Sequence, residues 1–185
     1  MSLDDQKKAA RKVAFAARKT AFDAKRAGQA SVLSEFLAGH RGVPTAGYMP
    51  INTEISPLAA MAEQSAYGDV GVPVILGAGQ PLKFARWEPD MPLIAGEFGA
   101  QIPENPEFFT PELIILPLVA WDKSGNRLGY GGGFYDRTIE GLRENGAVLA
   151  AGFAFDEQEQ TGLPIEDTDQ PLDLMITQSV IHSFR

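Results

Sequence analysis

The order of apolar and polar positions predicts an N-terminal amphipathic helix. Residues 4–27 contain no proline; acidic residues open the stretch and Gly28 follows it, so one helix is expected. Lysine and arginine recur there at steps of four and seven, which puts them on two neighbouring stripes of the helix surface. The first stripe contains Lys7, Arg11, Arg18 and Lys25, and the second contains Lys8, Lys12, Lys19 and Arg26.

Short apolar runs then alternate with helix-length segments. A second helix is expected to run to about Ala38, with Ser31 as its cap. The runs predicted as strands are 45–49, 72–76, 82–85, 113–116, 148–153 and 174–177. The helices predicted between some of them are 55–66 and 134–145.

This alternation predicts an α/β fold class. Residues 113–116 are apolar on both faces, which indicates a buried, mostly parallel central sheet with helices on both sides, a three-layer α/β/α, Rossmann-like arrangement. Residues 86–112 are rich in Pro, Gly and Glu and predict a long ordered loop. Because no repeat or linker divides the chain, residues 1–185 are expected to form a single domain.

Composition narrows the class of protein. Hydrophobic residues make up 44% and charged residues 22%, as in soluble globular proteins. No apolar run reaches the roughly 18 residues that span a bilayer, and the start resembles no secretory signal. With zero cysteines, disulfides, thiolate zinc sites and a cysteine nucleophile are excluded. We therefore expect a cytoplasmic protein without a membrane partner.

Charge is distributed unevenly along the chain. The net charge of −8 argues against a nucleic-acid partner, yet eight of the 16 Lys and Arg residues fall in the first 26 positions. The last 35 residues contain seven acids, namely Asp156, Glu157, Glu159, Glu166, Asp167, Asp169 and Asp173. The two ends either have different polar tasks or are solvated surfaces.

The stretch from 116 to 137 carries the densest chemical signal. A strand ends at Pro117, a glycine-rich loop follows, and a helix is predicted to begin near Phe134. The glycines are Gly125, Gly129, Gly131, Gly132 and Gly133. Glycine permits close backbone approach, and amides at a helix N-terminus bind anions, so the loop suits a phosphate tail. Arg127 would add a bidentate contact and Asp136 would hold Mg²⁺; the alternative is a turn whose aromatic residues fill the core.

Spacing excludes two familiar nucleotide loops. The chain contains no Gly-x-x-x-x-Gly-Lys-Ser/Thr, so it has no Walker loop. Residues 129–134 match Gly-x-Gly-x-x-Gly only loosely, because Phe134 takes the sixth position. The cluster also lies too late for a nicotinamide-dependent oxidoreductase, whose motif directly follows the first strand.

Residues 122–137 read Asp-x-x-Gly-x-Arg-Leu-Gly-x-Gly-Gly-Gly-x-Tyr-Asp-Arg, which closely resembles the signature of the 5-formyltetrahydrofolate cyclo-ligase family. Further similar segments occur in the family's order, at 7–12, 48–55, 79–87, 96–99 and 163–173. The resemblance therefore extends over nearly the whole chain. The departures are Trp121 for the usual Phe, Phe134 for a frequent Tyr, and Thr168 where many members have His.

The resemblance implies an enzyme that converts 5-formyltetrahydrofolate and ATP, with Mg²⁺, to 5,10-methenyltetrahydrofolate, ADP and phosphate. ATP would phosphorylate the formyl oxygen, nitrogen 10 would attack the activated carbon, and phosphate would leave. This chemistry needs positioning and charge neutralisation rather than a protein nucleophile. It suits a chain without cysteine whose His40 and His182 lie outside every motif. A monomer or weak homodimer is expected.

The same resemblance assigns the site residues. Those assigned to ATP are Lys7, Lys8, Arg11, Arg127, Leu128, Gly129, Tyr130, Gly131, Gly132, Gly133, Phe134 and Tyr135. Those assigned to the folate substrate are Met49, Glu54, Phe98, Tyr130, Gly132 and Phe134. Arg127 and Tyr135 are the catalytic candidates. Asp136 and Asp173 are assigned to Mg²⁺, and each is otherwise a solvated or capping acid.

Alternatives remain for single residues and for the whole protein. Tyr48, Trp87 and Phe98 are candidates to stack on the pterin ring, and core packing explains Trp87 equally well. A rival of another class is a non-catalytic α/β sensor that binds a phosphorylated metabolite or folate. It would need the glycine loop but neither the Lys7 and Arg11 pair nor two convergent aspartates, so the enzyme is favoured.

Overall fold

A computed structural model describes residues 1–184 and contains helices and strands in alternation. The helices are α1 (Leu3–Asp23), α2 (Ser31–Ala38), α3 (Leu58–Ser65) and α4 (Phe134–Asn145). The strands are β1 (Thr45–Ala46), β2 (Val70–Val74), β3 (Lys83–Arg86), β4 (Leu93–Ala95), β5 (Gln101–Pro103), β6 (Phe108–Phe109), β7 (Leu113–Leu116), β8 (Ala120–Trp121), β9 (Arg127–Leu128), β10 (Leu149–Phe153), β11 (Leu174–Ile176) and β12 (Ile181–Ser183). Within residues 1–184, no helix is long and apolar enough to cross a membrane.

An eight-stranded sheet organises the fold, in the order β12-β11-β10-β7-β1-β2-β3-β6. The strands from β11 to β2 are parallel, and β12, β3 and β6 pair antiparallel at the two edges. The chain leaves β1 towards β2 on one side and β7 towards β10 on the other, so its connections diverge between β1 and β7. Ligands of open α/β sheets bind in the crevice at such a point, at the carboxyl ends of the strands.

Alternate residues of the central strands face helices on opposite sides of the sheet. Leu113 and Ile115 of β7 pack in a cluster to which α1, α2 and α3 contribute. Ile114 and Leu116 pack on the other side with Ile139 of α4. A strand with two apolar faces needs a helical layer on each side of the sheet to remove both faces from water. The predicted α/β class with a three-layer, mostly parallel arrangement is confirmed.

Three local predictions are wrong. Segment 86–112 is not a loop, because β4 and β5 form an antiparallel hairpin and β6 joins the main sheet. These strands have two or three residues each, too few to leave a readable alternation. Helix α1 ends at Asp23, and Lys25 beyond it has a φ of 47°. Ser31 is the first residue of α2 rather than its cap, a position that Ala30 occupies.

A short hairpin of β8 and β9 positions the glycine-rich loop. Its turn is closed by the buried side chain of Asp122, whose Oδ1 accepts hydrogen bonds from the backbone N of Ser124 at 2.9 Å and of Asn126 at 3.1 Å. Asp122 Oδ2 also accepts from the backbone N of Leu163 at 3.2 Å. Because β9 leads directly into residues 129–133, these contacts fix where that loop begins.

Candidate active site

A cleft of about 910 Å³ opens at the carboxyl ends of β1, β2 and β7. Its walls come from α1, the segment after β1, the β4–β5 hairpin, the glycine-rich loop and the segment 166–169. The sequence-predicted residues that it brings together are Lys7, Arg11, Met49, Glu54, Phe98, Arg127, Leu128, Gly129, Tyr130, Gly131, Gly132, Gly133, Phe134, Tyr135 and Asp136. Thr168 also lines the cleft.

The glycine-rich loop enters α4 through backbone conformations that favour glycine. Gly131 has a φ of 103° and Gly133, the N-cap of α4, has a φ of 70°. A Cβ on Gly133 would also come within 2.6 Å of the Arg137 Nη1 atom. No side chain caps this helix, so its first backbone amides are available to an anion in the cleft.

Two cations of α1 are fixed at this end of the cleft. Lys7 Nζ donates hydrogen bonds to Glu166 Oε1 at 2.6 Å and to Asp169 Oδ2 at 2.9 Å. Burial lowers the pKa of Lys7, but the two acids more than offset this and the pKa is raised. Arg11 Nε donates to the carbonyl oxygen of Gly129 at 2.8 Å, which ties α1 to the glycine-rich loop.

Arg127 and Asp136 form a pair beneath the loop. Arg127 Nη2 donates to Asp136 Oδ1 at 2.5 Å. Burial lowers the pKa of the Arg127 guanidinium, and the charges of Asp136 and Asp169 oppose this. Asp136 Oδ1 also accepts from the backbone N of Gln170 at 2.9 Å. Because Gln170 directly follows Asp169, the acidic C-terminal segment meets α4 here.

The hydroxyl group of Tyr135 is enclosed, and no residue in the described range 1–184 hydrogen-bonds with it. Burial raises the pKa of this phenol; the charge of Glu54 adds to the increase and that of Arg127 opposes it. Both side chains therefore lie within electrostatic reach of Tyr135. An enclosed hydroxyl without a protein partner is suited to bind a ligand atom.

The other end of the cleft is organised around Glu54, which is 5% exposed. Its Oε1 accepts a hydrogen bond from the Tyr130 hydroxyl at 3.0 Å, and its Oε2 accepts from the backbone N of Ile51 at 2.9 Å. Burial raises the pKa of Glu54, while the hydrogen bonds from Ile51 and Tyr130 oppose the increase. Burial likewise raises the pKa of Tyr130 to about 12, so this phenol is neutral and donates at neutral pH.

Arg18 lies behind this end of the cleft, and no role was assigned to it from the sequence. Its Nη1 donates to the Tyr130 hydroxyl at 2.8 Å, and its Nε donates to Thr53 Oγ1 at 2.9 Å. The helical stripe predicted from the sequence contains Arg18 together with Lys7, Arg11 and Lys25. A stripe gives no signal of which cation is buried, and Arg18 is only 1% exposed.

The candidates for aromatic stacking separate in the structure. Phe98 lies at the turn of the β4–β5 hairpin, is 72% exposed, and has its ring centroid 6.4 Å from that of Phe134. Trp87 packs in a core cluster with Met61 and lies outside the cleft, as its alternative interpretation predicted. Tyr48 lines the cleft but is 1% exposed, and its hydroxyl donates to a backbone carbonyl.

A sequence profile described as the 5-formyltetrahydrofolate cyclo-ligase family matches residues 4–178. The chain belongs to this family. Over 96 residues the chain is 42% identical to the 5-formyltetrahydrofolate cyclo-ligase of Haemophilus influenzae. This match covers 49% of the chain and 51% of that protein. Over 175 residues the chain is 29% identical to the Mycolicibacterium smegmatis enzyme of the same name, covering 86% of this chain and 87% of that relative. The match thus spans about half the length of the first relative and most of the second.

The fold of this cyclo-ligase family member is also similar to a solved structure. The NMR structure of the Aquifex aeolicus 5,10-methenyltetrahydrofolate synthetase superposes with a TM-score of 0.77 at 25% sequence identity. The superposition covers 100% of this chain and 94% of that one. The family predicted from residues 122–137 and the predicted fold are therefore confirmed.

The structure does not bring Lys8 to the cleft of this family member. The side chain of Lys8 is 71% exposed, and its Nζ lies 3.3 Å from Asp4 Oδ2 on the helix surface. Successive positions of a helix point about 100° apart, so the rotation that turns Lys7 inward carries Lys8 to solvent. Of the two lysines assigned to ATP, only Lys7 lines the cleft.

Asp173 also lies outside the cleft. It is 2% exposed, and its Oδ2 accepts hydrogen bonds from the backbone N of Ala150 at 2.8 Å and from Arg143 Nη2 at 3.3 Å. The carboxylate thus joins the start of β11 to β10 and α4. Asp136 and Asp169 line the cleft and Asp173 does not, so the structure does not bring together the two aspartates assigned to Mg²⁺.

Proposed function

We propose that this chain catalyses the ATP-dependent conversion of 5-formyltetrahydrofolate to 5,10-methenyltetrahydrofolate, with release of ADP and phosphate. The observation that carries the proposal is one continuous cleft with two chemically different ends. An anion-binding end holds Lys7, Arg11 and the N-terminus of α4, and the other end is built on the buried carboxylate of Glu54. Family membership and the relatives that bear this activity in their names support the proposal.

The triphosphate of ATP binds at the N-terminus of α4. Residues 129–133 supply backbone amides there, and Lys7 and Arg11 supply positive charge from α1. Lys7 exchanges its acidic partners for phosphate oxygens, since Glu166, one of those partners, is itself 52% exposed in its side chain. Tyr130, Gly132 and Phe134 meet both substrates, and Tyr130 does so with its backbone at the phosphates and its hydroxyl at the folate end, where it donates to Glu54.

The pterin of the folate binds at the other end. Its ring N–H and amino groups form a pair of neighbouring donors that an ionised carboxylate such as Glu54 accepts side by side. Phe98 and Phe134 offer aromatic faces to the flat ring, and Met49 adds an apolar wall. This arrangement directs the formyl group of the substrate towards the glycine-rich loop.

The reaction takes place between these ends, near Tyr135 and Arg127. The formyl oxygen bonds to the γ-phosphorus while the bond from that phosphorus to the ADP oxygen breaks. Nitrogen 10 then attacks the formyl carbon and loses its proton, and the carbon–oxygen bond breaks so that phosphate departs with the formyl oxygen. The Tyr135 hydroxyl donates to an oxygen of the transferred group, and Arg127 stabilises its charge.

Mg²⁺ fits the acids at the phosphate end. Asp136 uses Oδ1 for both of its hydrogen bonds, and Asp169 uses Oδ2 for both of its own. The second oxygen of each carboxylate is therefore suited to a hard cation. Within residues 1–184 no group of three or more potential metal ligands occurs. The remaining ligands of the proposed ion would be phosphate oxygens of ATP. The bound ion supplies charge neutralisation on the phosphates.

The sensor alternative is not favoured, because Lys7 and Arg11 line the cleft together with two aspartates, Asp136 and Asp169. A sensor needs neither feature. With a net charge of −8 and no cysteine, we further propose a cytoplasmic protein without a nucleic-acid partner.

The absorbance of the methenyl product tests this function. Purified protein with 5-formyltetrahydrofolate, ATP and Mg²⁺ is expected to form the product with one ADP per turnover, and to form none when ATP is left out. Folded protein that binds ATP and folate but forms no product would support the sensor instead.

A further inference from the structure

Arg18 is a buried cation without an ion pair. It is 1% exposed, and no acid within residues 1–184 lies within salt-bridge distance of it. Its guanidinium instead bonds to Thr53 and Tyr130 and lies 5.1 Å from the centroid of the Phe15 ring. Burying a charge without a direct counter-charge is costly, so hydrophobic packing alone is a poor explanation for an arginine here.

The hydrogen bonds of Arg18 have a fixed direction. A guanidinium only donates, so the Tyr130 oxygen must accept from Arg18 and send its own proton elsewhere. That proton goes to Glu54 Oε1, at an oxygen–oxygen distance of 3.0 Å. Thr53, the second partner of Arg18, directly precedes Glu54 in the chain. Arg18 thus holds Glu54 through the side chain of Tyr130, which donates to it, and through the side chain of Thr53, which precedes it in the chain.

We propose that Arg18 is a positioning residue for the folate substrate, which acts through Tyr130 to fix the orientation and the charge of the Glu54 carboxylate. The inference rests on the proposed function, because it assumes that Glu54 accepts the pterin. Arg18 itself is enclosed behind Tyr130 and Thr53, so its effect is exerted through them.

Helix α1 separates this task from ATP binding. Arg11, seven residues earlier on the same stripe, is bonded to Gly129, whereas Arg18 is bonded to the hydroxyl of the next residue, Tyr130. Removing the Arg18 side chain leaves the Arg11 contact in place. The expected effect is therefore confined to the folate end of the cleft.

Charge gives a second readout. Arg18 and Tyr130 act on the pKa of Glu54, and the charge of Glu54 in turn raises the pKa of the neighbouring phenols Tyr48 and Tyr135. Burial raises the pKa of Glu54, and the charge of Arg18 opposes this. Without Arg18 the pKa of Glu54 rises further, so Glu54 becomes protonated at a higher pH. Folate binding that needs the carboxylate is then lost at a higher pH than in the wild type.

The experiment measures the affinity for 5-formyltetrahydrofolate by calorimetry across a pH series, together with kcat and KM for both substrates. Arg18→Met is expected to weaken folate binding about tenfold at neutral pH, as for the loss of hydrogen bonds that involve a charge. The fall in folate affinity on the acidic side of the pH series is expected to occur at a higher pH than in the wild type. The KM for ATP should stay within about twofold of wild type. Lys19→Met, at the next position and with a side chain that is 67% exposed, is the matched control and should match the wild type.

Further variants keep the test decisive if Arg18→Met folds poorly. Tyr130→Phe removes only the bridging hydroxyl and should weaken folate binding in the same direction, with little further loss in the double variant. Arg18→Lys keeps the positive charge but loses the planar guanidinium that bonds Thr53 and Tyr130 together. The pH at which folate affinity falls should therefore return towards the wild-type value, while the affinity itself recovers only in part.

The outcomes separate the two proposals. Wild-type protein that forms no methenyl product contradicts the proposed function. Wild-type turnover with unchanged folate affinity, which falls at the same pH as in the wild type, in both Arg18→Met and Tyr130→Phe overturns the role of Arg18 alone. That role is also overturned if KM for ATP rises as much as KM for folate, because a general loss of structure would raise both.

Discussion

The two ends of the cleft are built on opposite principles. At the phosphate end, cations and acids already neutralise one another, since Lys7 pairs with Glu166 and Asp169 and Arg127 pairs with Asp136. At the folate end, the carboxylate of Glu54 accepts hydrogen bonds from the neutral phenol of Tyr130 and from a backbone amide. The cation there, Arg18, bonds to Tyr130 and not to Glu54 itself.

This difference separates two ways of binding a substrate. In the proposed ATP complex, the charge pairs of the protein would exchange partners with the triphosphate, so the free energy of ATP binding would depend on ionic strength. The hydrogen-bonded carboxylate of Glu54 is oriented before the folate arrives, so less conformational freedom is lost on binding. We therefore expect variants at the two ends to affect different kinetic constants.

Asp136→Asn should have the largest effect, because Asp136 serves both the Arg127 pair and the proposed ion. We expect kcat to fall about 100-fold or more, as when a group that stabilises transition-state charge is removed. The measurement is kcat against Mg²⁺ concentration. Near wild-type turnover at limiting Mg²⁺ would remove Asp136 from the metal site.

Asp173→Asn is the control for that variant. Asp173 is buried and bonded to Arg143 and Ala150, so its loss should lower the free energy of unfolding by about 1–3 kcal/mol, measured by denaturant titration. The Mg²⁺ concentration for half-maximal turnover should stay unchanged. A large rise in that concentration would support the metal role of Asp173 that the family resemblance implied.

Glu54→Gln tests the folate end. A neutral amide loses the charge that strengthens the hydrogen bonds to the pterin, so KM for the folate should rise about 10- to 100-fold while KM for ATP changes little. Steady-state kinetics with each substrate varied in turn measure both constants. Equal changes in the two constants would mean that the ends are not independent.

Arg11→Ala tests the phosphate end on its own. We expect KM for ATP to rise about tenfold, since Arg11 supplies a charge-assisted contact at the entrance of the glycine-rich loop. The matched control is Lys12→Ala, because Lys12 is exposed on the outer face of the same helix. An unchanged KM for ATP in Arg11→Ala would mean that Arg11 has no role in ATP binding.

Phe98→Ala should have the smallest effect. Loss of one aromatic face at the rim of the cleft is expected to raise KM for the folate about two- to tenfold, with kcat unchanged. Phe108→Ala removes a ring that is 44% exposed but lies outside the cleft, and it serves as the control. Identical kinetics of the two variants would exclude Phe98 from the folate site.

Much of the fold was predictable because burial leaves a periodic trace. The strand β7 and the helix α4 have the bounds that the pattern predicted, since β7 is buried between two helical layers and α4 packs one apolar face against the sheet. The β4–β5 hairpin was not predictable, because its strands of three residues are partly exposed. Short exposed strands are determined by their partners rather than by their own sequence.

The part of the site formed by consecutive residues, such as 129–136, was predictable because a contiguous motif can be recognised in the sequence. It was not predictable where side-chain direction decides. The C-terminal motif offers four acids in eight positions without helical or strand periodicity, so nothing in the sequence tells Asp169 from Asp173. Arg18 was overlooked for a similar reason, because burial of one cation in a basic stripe depends on the loop that packs against it.

Oxygen-18 placed in the formyl group tests most directly whether the two ends meet in one reaction. The labelled 5-formyltetrahydrofolate would be turned over with ATP and Mg²⁺, and the released phosphate would be analysed by mass spectrometry. Transfer of the ATP phosphoryl group to the formyl oxygen predicts one labelled oxygen in each phosphate. Methenyl product accompanied by unlabelled phosphate, with the label in water, would contradict that transfer.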